Sequence, residues 1–428
     1  MTRRPFNLFS VARGQFERAA DLIGLEQTDR DLLTEPMRQV IFRVPVRMDD
    51  GKVRIFGAFR VIHNDARGPA NGGVRFHPSG TLDLICAQAM WMTWRCALLG
   101  VPLGGAAGGV ACDPHGLSAG EQERLCRGWV RANARDLGPD VDIPEPDLGT
   151  NPQHMLWMLD EYEVISRGRR PGFATGKPVG MGGSLGRREA AGYGIVIAVR
   201  EALKAAGMRA EDARAAVQGF GTVGQPAVSL FQEIGGTVTC VASWSPSEGH
   251  SLCFRKKDGV ILEELAGVAD RFGNVDPRGA EKLGYEVLPG EAWLAQDVDV
   301  LIPAALDNQV TAENVANIGP RVRIVAEGAD GAVAPAADEV LGKRGVAVIP
   351  SFLANAGGVT CSYFEQVQSS MNYFWERDEV LGKLDVQLTG TFAAVSELAK
   401  KRSWSLRDAA HVIAVSRVAE ACHARGWV

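Results

Sequence analysis

The chain has 428 residues, of which 46% are hydrophobic and 23% charged, and its formal net charge is −5. This length exceeds what one ordinary core requires and predicts two globular domains. The small negative charge gives no broad basic field, which argues against nucleic acid or an anionic membrane surface as a partner.

The beginning of the chain and its apolar runs bear on localisation. An arginine pair at 3–4 is followed by charged residues that interrupt the apolar region a secretion signal needs. No window approaches the roughly 18 uncharged apolar residues of a membrane-spanning helix. The sequence therefore predicts a cytoplasmic protein with no membrane partner.

Eight cysteines and seven histidines are dispersed along the chain. They form no CxxC motif and no group with the spacing of metal ligands. We therefore expect reduced, mostly buried thiols and no bound metal.

The first half of the chain predicts a hairpin and a buried helix. Residues 39–64 alternate apolar and polar side chains on both sides of a turn signal at 49–51, which indicates two paired strands. Residues 82–99 lack glycine and proline and are apolar on nearly every face, which favours a buried helix ending at Gly100. Glycine-rich stretches at 104–109 and 180–194 are predicted as loops.

The second half alternates short apolar runs with helical segments. Strands spaced by helices predict a parallel sheet with right-handed crossovers. The final segment, 354–428, has helical periodicity and no strand signal. The predicted strands are centred near 217, 240, 301, 325 and 348.

A glycine motif, Gly219-x-Gly221-x-x-Gly224, follows the first of these strands and precedes a helical stretch. In that position the glycines allow a tight turn whose backbone amides reach a pyrophosphate. The alternative is a glycine-rich turn that binds nothing. At the end of the second strand, where an acid usually binds the cofactor ribose, the sequence has Ser243 and then Trp244. The motif is therefore compatible with NAD or NADP, without securing either of them and without a preference between the two.

Eight blocks along nearly the whole chain resemble the Glu/Leu/Phe/Val dehydrogenase family, most closely the glutamate dehydrogenases, and they occur in family order. The blocks are GPANGGVRFHP (68–78), MTWRCALLGVPLGGAAGG (92–109), DIPEPDLGT (142–150), TGKPVGMGGSLGRREAAGYG (175–194), VQGFGTVG (217–224), IPAAL (302–306), AEGADGAVAPAAD (326–338) and LANAGGVTCSYFEQVQ (353–368).

The resemblance implies an α/β protein with two domains. We expect an N-terminal α/β substrate and oligomerisation domain over 1–185, a Rossmann-type doubly wound parallel sheet over 186–350, and C-terminal helices over 351–428 that return to the first domain. Family subunits usually form hexamers, and they deaminate an L-amino acid reversibly to a 2-oxo acid while a nicotinamide takes the hydride.

Three lysines normally serve this chemistry, and the resemblance places all three at substituted positions. Asn71 stands where a lysine meets the side-chain carboxylate of glutamate, Arg95 where one meets the α-carboxylate, and Ala107 where the catalytic lysine lies. The first position is also apolar in the branch acting on Leu, Val or Phe, and Arg95 keeps a cation. The aspartate that moves protons is retained as Asp147.

The resemblance assigns four further residues. Ser362 lies in the block that supplies a hydroxyl to the substrate, and Asp330 and Asn355 belong to the cofactor site. Glu145 adds an acid beside Asp147 where the family has a small residue, and two close carboxylates raise one pKa.

These substitutions lead to one main hypothesis and two alternatives. The main hypothesis is a catalytically impaired subunit, regulatory or structural, that binds an amino acid or related carboxylate and pairs with an active paralogue. The first alternative is an active NAD(P)-dependent amino-acid dehydrogenase acting on glutamate, another L-amino acid or an altered substrate. The second is a scaffold with an empty pocket.

Overall fold

The computed structural model describes residues 7–270 and 272–428, and the chain divides into two compact units. The first unit contains the chain up to Arg187 together with 359–381 and 411–428; the second contains 188–358 and 382–410. The C-terminal helical region, expected as one segment returning to the first domain, thus contributes to both units. The predicted class, two α/β domains of which one is Rossmann-type, is confirmed.

The first unit is built on a mixed sheet. Its elements are α1 (Leu8–Ile23), α2 (Gln27–Thr34), β1 (Arg38–Arg47), β2 (Val53–Asn64), β3 (Ala70–Phe76), α3 (Leu82–Leu99), β4 (Gly104–Val110), α4 (Ala119–Asn133), β5 (Asp142–Pro146) and α5 (Pro152–Ser166). Within the described residues, five strands form the order β1-β2-β4-β3-β5. Strand β3 runs parallel to both β4 and β5, while β2 is antiparallel to β1 and β4.

The predicted hairpin and the predicted buried helix are both confirmed. Strands β1 and β2 pair antiparallel around a turn in which Gly51 has a φ of 84°. Helix α3 begins after Thr81, whose side chain accepts a hydrogen bond from the Leu84 N–H, and it ends at Gly100 in the left-handed region.

The glycine-rich stretch 104–109 is a strand, β4, and its prediction as a loop was wrong. Glycine weakens an isolated strand, but here it allows α3 and the neighbouring backbone to approach closely. A Cβ at Gly105 would lie 2.1 Å from the Thr93 nitrogen, and one at Gly104 would lie 2.5 Å from the Asn64 carbonyl oxygen. Tight packing of helix on sheet therefore explains these glycines.

The second unit is built on a mostly parallel sheet. Its elements are α6 (Ala190–Ala205), β6 (Arg214–Gln218), α7 (Gly224–Glu233), β7 (Thr237–Ser245), β8 (His250–Arg255), α8 (Leu262–Gly267), α9 (Pro277–Lys282), β9 (Glu286–Pro289), β10 (Val300–Pro303), β11 (Ile324–Ala326), α10 (Pro335–Lys343), β12 (Ala347–Ile349) and α11 (Ser351–Ala354). Helices α12 (Gly357–Met371), α13 (Arg377–Arg402) and α14 (Leu406–Ala424) divide between the two units.

The strand order of the second sheet is β12-β11-β10-β6-β7-β8-β9 within the described residues. The five strands predicted from the apolar runs are β6, β7, β10, β11 and β12, and they pair in parallel as expected. Strands β8 and β9 extend the sheet antiparallel from β7, which was not predicted.

The antiparallel pairing of β7 and β8 brings two cysteines together. The expectation that all the cysteines are reduced was wrong for this pair. Cys253 of β8 lies opposite Ala242 of β7, two residues from Cys240, and Cys240 and Cys253 are joined by a disulfide. Both cysteines are fully buried in the core of the second unit. The six other cysteines are free and buried, as expected.

The described residues contain neither a membrane-spanning helix nor a cluster of metal ligands. No helix among residues 7–270 and 272–428 is long and apolar enough to cross a membrane. The same residues contain no cluster of three or more histidine, cysteine or acidic side chains able to hold a metal ion.

Candidate functional site

One face of the first sheet brings together residues that the sequence assigned to the substrate site. Asn71 of β3 lies beside Gly105 of β4, and the same register places Gly73 beside Ala107. On the other side of β3, Gly73 pairs with Glu145 of β5. Neighbours in register point to the same face of a sheet. Asn71, Ala107 and Glu145 therefore share one face, against which α3 packs.

Ala107 presents only a methyl group on this face. The residue is 4% exposed and packs among apolar side chains of β2 and α3. These neighbours are Val61, Ile85, Cys86 and Ala89. The position to which the resemblance assigns the catalytic lysine is thus part of an apolar cluster.

Asn71 presents a neutral acceptor at the position to which the resemblance assigns a lysine. Its Nδ2 donates a hydrogen bond to the Ile143 carbonyl at 3.0 Å, which fixes the orientation of the amide. Its Oδ1 is buried and has no hydrogen-bond partner in the part of the chain that the structure describes. A buried acceptor of this kind is stabilised when a ligand donates to it.

Asp147 is held by an arginine that the sequence interpretation did not single out. Arg75 Nε donates to Asp147 Oδ2 at 3.0 Å, and Arg75 Nη2 donates to Oδ1 at 3.3 Å. Asp147 lies directly over Gly73, where a Cβ would come within 2.7 Å of the Asp147 Cβ. The bidentate pair fixes the carboxylate against the sheet.

The charges around Asp147 keep it ionised. Burial raises the pKa of the Asp147 carboxyl, but Arg75, the backbone N–H of Leu148 and the charge of Arg95 together hold it below its usual value. Arg95, on α3, is thus close enough to act on Asp147. Burial is the main cause that raises the pKa of the Cys96 thiol to about 12. The charge of Glu145 also raises this pKa, and the charge of Arg95 lowers it.

Glu145 is bound by Ser362 and Arg187. Ser362 Oγ donates to Glu145 Oε2 at 2.5 Å, and Arg187 Nη2 donates to the same oxygen at 3.3 Å. Arg187 Nε in turn donates to Ser362 Oγ at 3.1 Å. The hydroxyl expected to meet a substrate is therefore occupied by a carboxylate of the protein itself.

No lysine of the first unit can supply the absent amine on this face. Its sequence contains two lysines, Lys52 and Lys177. Lys52 lies at the hairpin turn, 84% exposed and paired with Asp50. Lys177 is fully buried, where its Nζ contacts Glu365 Oε1 at 2.7 Å and the Ala174 carbonyl at 2.6 Å.

The glycine motif of the second unit forms the turn between β6 and α7. Gly219 has a φ of 98°, and its Cβ would lie 2.6 Å from the Ala304 oxygen. A Cβ at Gly224 would lie 2.0 Å from the Gly219 oxygen. At Gly221 a Cβ would meet only the Phe272 oxygen, at an ordinary 3.7 Å. Packing requires two of these glycines, while Gly221 leaves room that a ligand can approach.

The remaining predicted cofactor residues lie in the same unit. Ser243 is buried, and its Oγ accepts a hydrogen bond from the Val275 N–H at 3.2 Å, while Trp244 is 52% exposed. Asn355 Nδ2 donates to the Gly328 carbonyl at 3.1 Å. Asp330 is partly buried in the turn after β11. The β7 end therefore offers no carboxylate for a ribose.

Two family models match the chain. The model described as Glu/Leu/Phe/Val dehydrogenase, dimerisation domain, matches residues 36–164, and the model described as Glutamate/Leucine/Phenylalanine/Valine dehydrogenase matches residues 182–426. The chain belongs to the Glu/Leu/Phe/Val dehydrogenase family. This confirms the family predicted from the eight blocks.

Relatives in this family match over their full length. The chain is 40% identical over 428 residues to the NAD-specific glutamate dehydrogenase of Clostridioides difficile, covering 100% of both chains. Among solved structures, the glutamate dehydrogenase of Peptoniphilus asaccharolyticus is 37% identical with a TM-score of 0.84, covering 99% of this chain and 100% of that one. The hetero-hexameric, leucine-bound glutamate dehydrogenase of Thermus thermophilus is 34% identical with a TM-score of 0.91, covering 99% of each chain.

Proposed function

We propose that this family member is a catalytically impaired subunit that binds an amino acid or related carboxylate in the former active site. It would act as a regulatory or structural partner of an active glutamate dehydrogenase paralogue. The observation that carries the proposal is the apolar environment of Ala107, on a sheet face that neither lysine of its unit can reach.

The retained acid does not replace the missing amine. A group that transfers a proton works best when its pKa lies near the working pH. The Asp147 carboxyl has a lowered pKa and is held by Arg75, so at neutral pH it is a carboxylate that can accept a proton but supplies no positive charge in place of the lysine. Positioned acid–base groups are worth roughly a hundred- to ten-thousand-fold in rate. The loss at Ala107 should therefore remove most of the turnover.

Arg95 is the group that we assign to a ligand carboxylate. Arg95 is partly buried on α3, the helix that packs against the sheet face of Asn71, and its charge lowers the pKa of Asp147. A guanidinium can bind a carboxylate through two parallel hydrogen bonds. With the ligand carboxylate bound by Arg95, the side chain of the ligand would contact residues of β3 and β5.

The assembly we propose is a hexamer, homomeric or with the paralogue. The Thermus relative is hetero-hexameric and leucine-bound, which shows that this fold can assemble from different subunits. In this chain, the apolar side chains of Ile41, Val53 and Ile55 are exposed on one face of the β1–β2 hairpin. Exposed apolar side chains on an edge hairpin are typical of an interface. The cytoplasmic location stays a prediction.

The second unit fits a dinucleotide at its glycine turn. Gly221 has no packing reason to lack a side chain, and α7 begins at the turn, so its first amides can face a pyrophosphate. The relatives are named NAD-specific, and we propose that NAD is the nucleotide. When bound, NAD would supply hydride acceptance. The residues that would hold it are Gly219, Gly221 and Gly224 at the turn and Asp330 and Asn355 beyond it.

An active amino-acid dehydrogenase is the second candidate. It is favoured by the full-length 40% identity to an NAD-specific glutamate dehydrogenase. In that case a bound water next to Asp147 would take over the work of the lysine. The two candidates differ in turnover, whereas both require a ligand at Arg95.

Titration calorimetry with a panel of L-amino acids, leucine included, tests the binding part of the proposal. We expect wild type to bind at least one of them and Arg95→Met to weaken that binding at least about tenfold, because a charge-assisted bidentate contact is lost. Arg95→Lys should retain part of the affinity. The exposed Arg38→Met, which removes a surface pair with Asp136, is the control and should bind as wild type. Absence of binding by wild type would contradict the proposal.

A further inference from the structure

The sheet face shared by Asn71, Ala107 and Glu145, which we call the pocket face, carries a carboxylate of its own. Glu145 is 8% exposed, and its Oε2 accepts from Ser362 and from Arg187. The charge of Arg187 is thus already balanced within the protein. A second carboxylate placed here would meet the charge of Glu145, whose arginine partner is already paired.

The neighbouring position on this face of the sheet, Asn71, also presents a hydrogen-bond acceptor. Asn71 lies one row away from Glu145 on the same face, and its buried Oδ1 has no partner among residues 7–270 and 272–428. The donated hydrogen bond to Ile143 prevents the amide from reversing, because an oxygen there would face the Ile143 carbonyl. Both side chains therefore offer acceptors to a ligand.

An ionised carboxylate accepts hydrogen bonds and donates none, whereas an amide group has two N–H donors. L-Glutamate and L-glutamine have nearly the same shape and differ in this property. Acceptors from Glu145 and Asn71 match the amide and repel the carboxylate. Discrimination between ligands commonly rests on such an unfavourable pairing with the wrong partner.

We propose that Glu145 is a specificity-determining residue that excludes ligands with a side-chain carboxylate and selects α-amino acids whose uncharged side chain donates hydrogen bonds, glutamine being the model compound. This role of Glu145 rests on the proposed binding function and specifies the class of ligand that the protein binds. It depends on the Glu145–Ser362–Arg187 contact and on Asn71, and not on the loss of the catalytic lysine.

The test is calorimetric binding of L-glutamine and L-glutamate to wild type and to Glu145→Ala. We expect wild type to prefer L-glutamine by at least about tenfold, since like-charge juxtaposition in a partly desolvated site is strongly unfavourable. Glu145→Ala frees Ser362 and Arg187, and it should gain L-glutamate affinity at least about tenfold relative to L-glutamine.

Two further variants complete the design. Glu145→Gln keeps the shape and removes the charge, so it should lie between wild type and Glu145→Ala. Glu161→Ala removes another buried carboxylate of the same unit, one paired with Arg131 and Arg127 on α4 and away from the pocket face. This control should keep the wild-type preference.

The outcomes separate this inference from the proposed function. A Glu145→Ala protein that is folded by circular dichroism and gains no L-glutamate affinity overturns the inference, whatever wild type binds. Equal affinity of wild type for the two ligands also overturns it. If wild type binds no amino acid but Glu145→Ala binds L-glutamate, the proposed function fails and the role of Glu145 is supported.

Discussion

At the scale of single residues, two acids of the proposed substrate site are each held by an arginine. The family resemblance predicts that three lysines are replaced in this chain, and the structure adds these two ion pairs. Asp147 pairs with Arg75, and Glu145 pairs with Arg187. Both carboxylates are therefore fixed in position by an arginine.

The sequence identified positions 71, 95 and 107 because flanking glycines and a tryptophan align them with family blocks. It did not identify Arg75 or Arg187, although both lie inside quoted blocks. Their partners are 72 and 42 residues away in the chain. Pairings of this kind depend on which strands are neighbours, and residue type alone does not reveal that.

Two buried histidines make the first unit sensitive to acid. His63 hydrogen-bonds to Thr93 and to the Leu33 carbonyl, and burial lowers its pKa to about 4; burial also lowers the pKa of His154 to about 4. Since both folded values lie below the unfolded value, the stabilisation is complete above about pH 6.5 and is lost as pH falls toward 4.

We expect urea unfolding at pH 5 to show a free energy of unfolding lower than at pH 7.5 by roughly 2 kcal/mol for each of these histidines. His63→Gln should reduce this pH dependence by about half. The exposed His250→Gln is the control and should leave it unchanged. Equal stability at the two pH values would show that neither histidine is held neutral by the fold.

At the scale of elements, the elements that the sequence predicted well are those whose signal is local. Helix α3 was predicted from its apolar composition and its terminal glycine, and the β1–β2 hairpin from alternation around a turn. Strand β4 was predicted as a loop because its glycines carry no local strand signal. Its conformation is set by α3, through the contact between Gly105 and Thr93.

The glycine turn of the second unit gives a test of nucleotide binding that does not disturb the fold. Gly221→Ala should fold normally, because its Cβ would meet only an ordinary contact, and should weaken NADH binding at least about tenfold by blocking the approach of the pyrophosphate. Gly342→Ala, whose Cβ would meet nothing within 4 Å, is the control. Tryptophan fluorescence with added NADH measures both variants.

A Gly221→Ala protein that binds NADH as tightly as wild type would show that the turn does not contact a dinucleotide. The same substitution at Gly219 or Gly224 cannot serve as this test. Packing leaves no room for a Cβ at either position, so the variants would report on folding rather than on ligand binding.

At the scale of the whole molecule, the chain has the two-unit scaffold of the Glu/Leu/Phe/Val dehydrogenase family. Family membership extends over both units, with full-length relatives at 40% identity. The proposed function uses this scaffold for ligand binding and for assembly. A subunit of this kind can influence partners through ligand binding alone, with a coupling that is reciprocal in free energy.

The most direct test is NAD-linked oxidation of L-glutamate by the protein purified alone, from a host that lacks its own glutamate dehydrogenase. A full-length active glutamate dehydrogenase serves as the reference under the same conditions. We expect a turnover at least about a hundredfold below the reference, because no amine lies at position 107 and the Asp147 carboxylate supplies no positive charge in its place. A turnover comparable with the reference would contradict it.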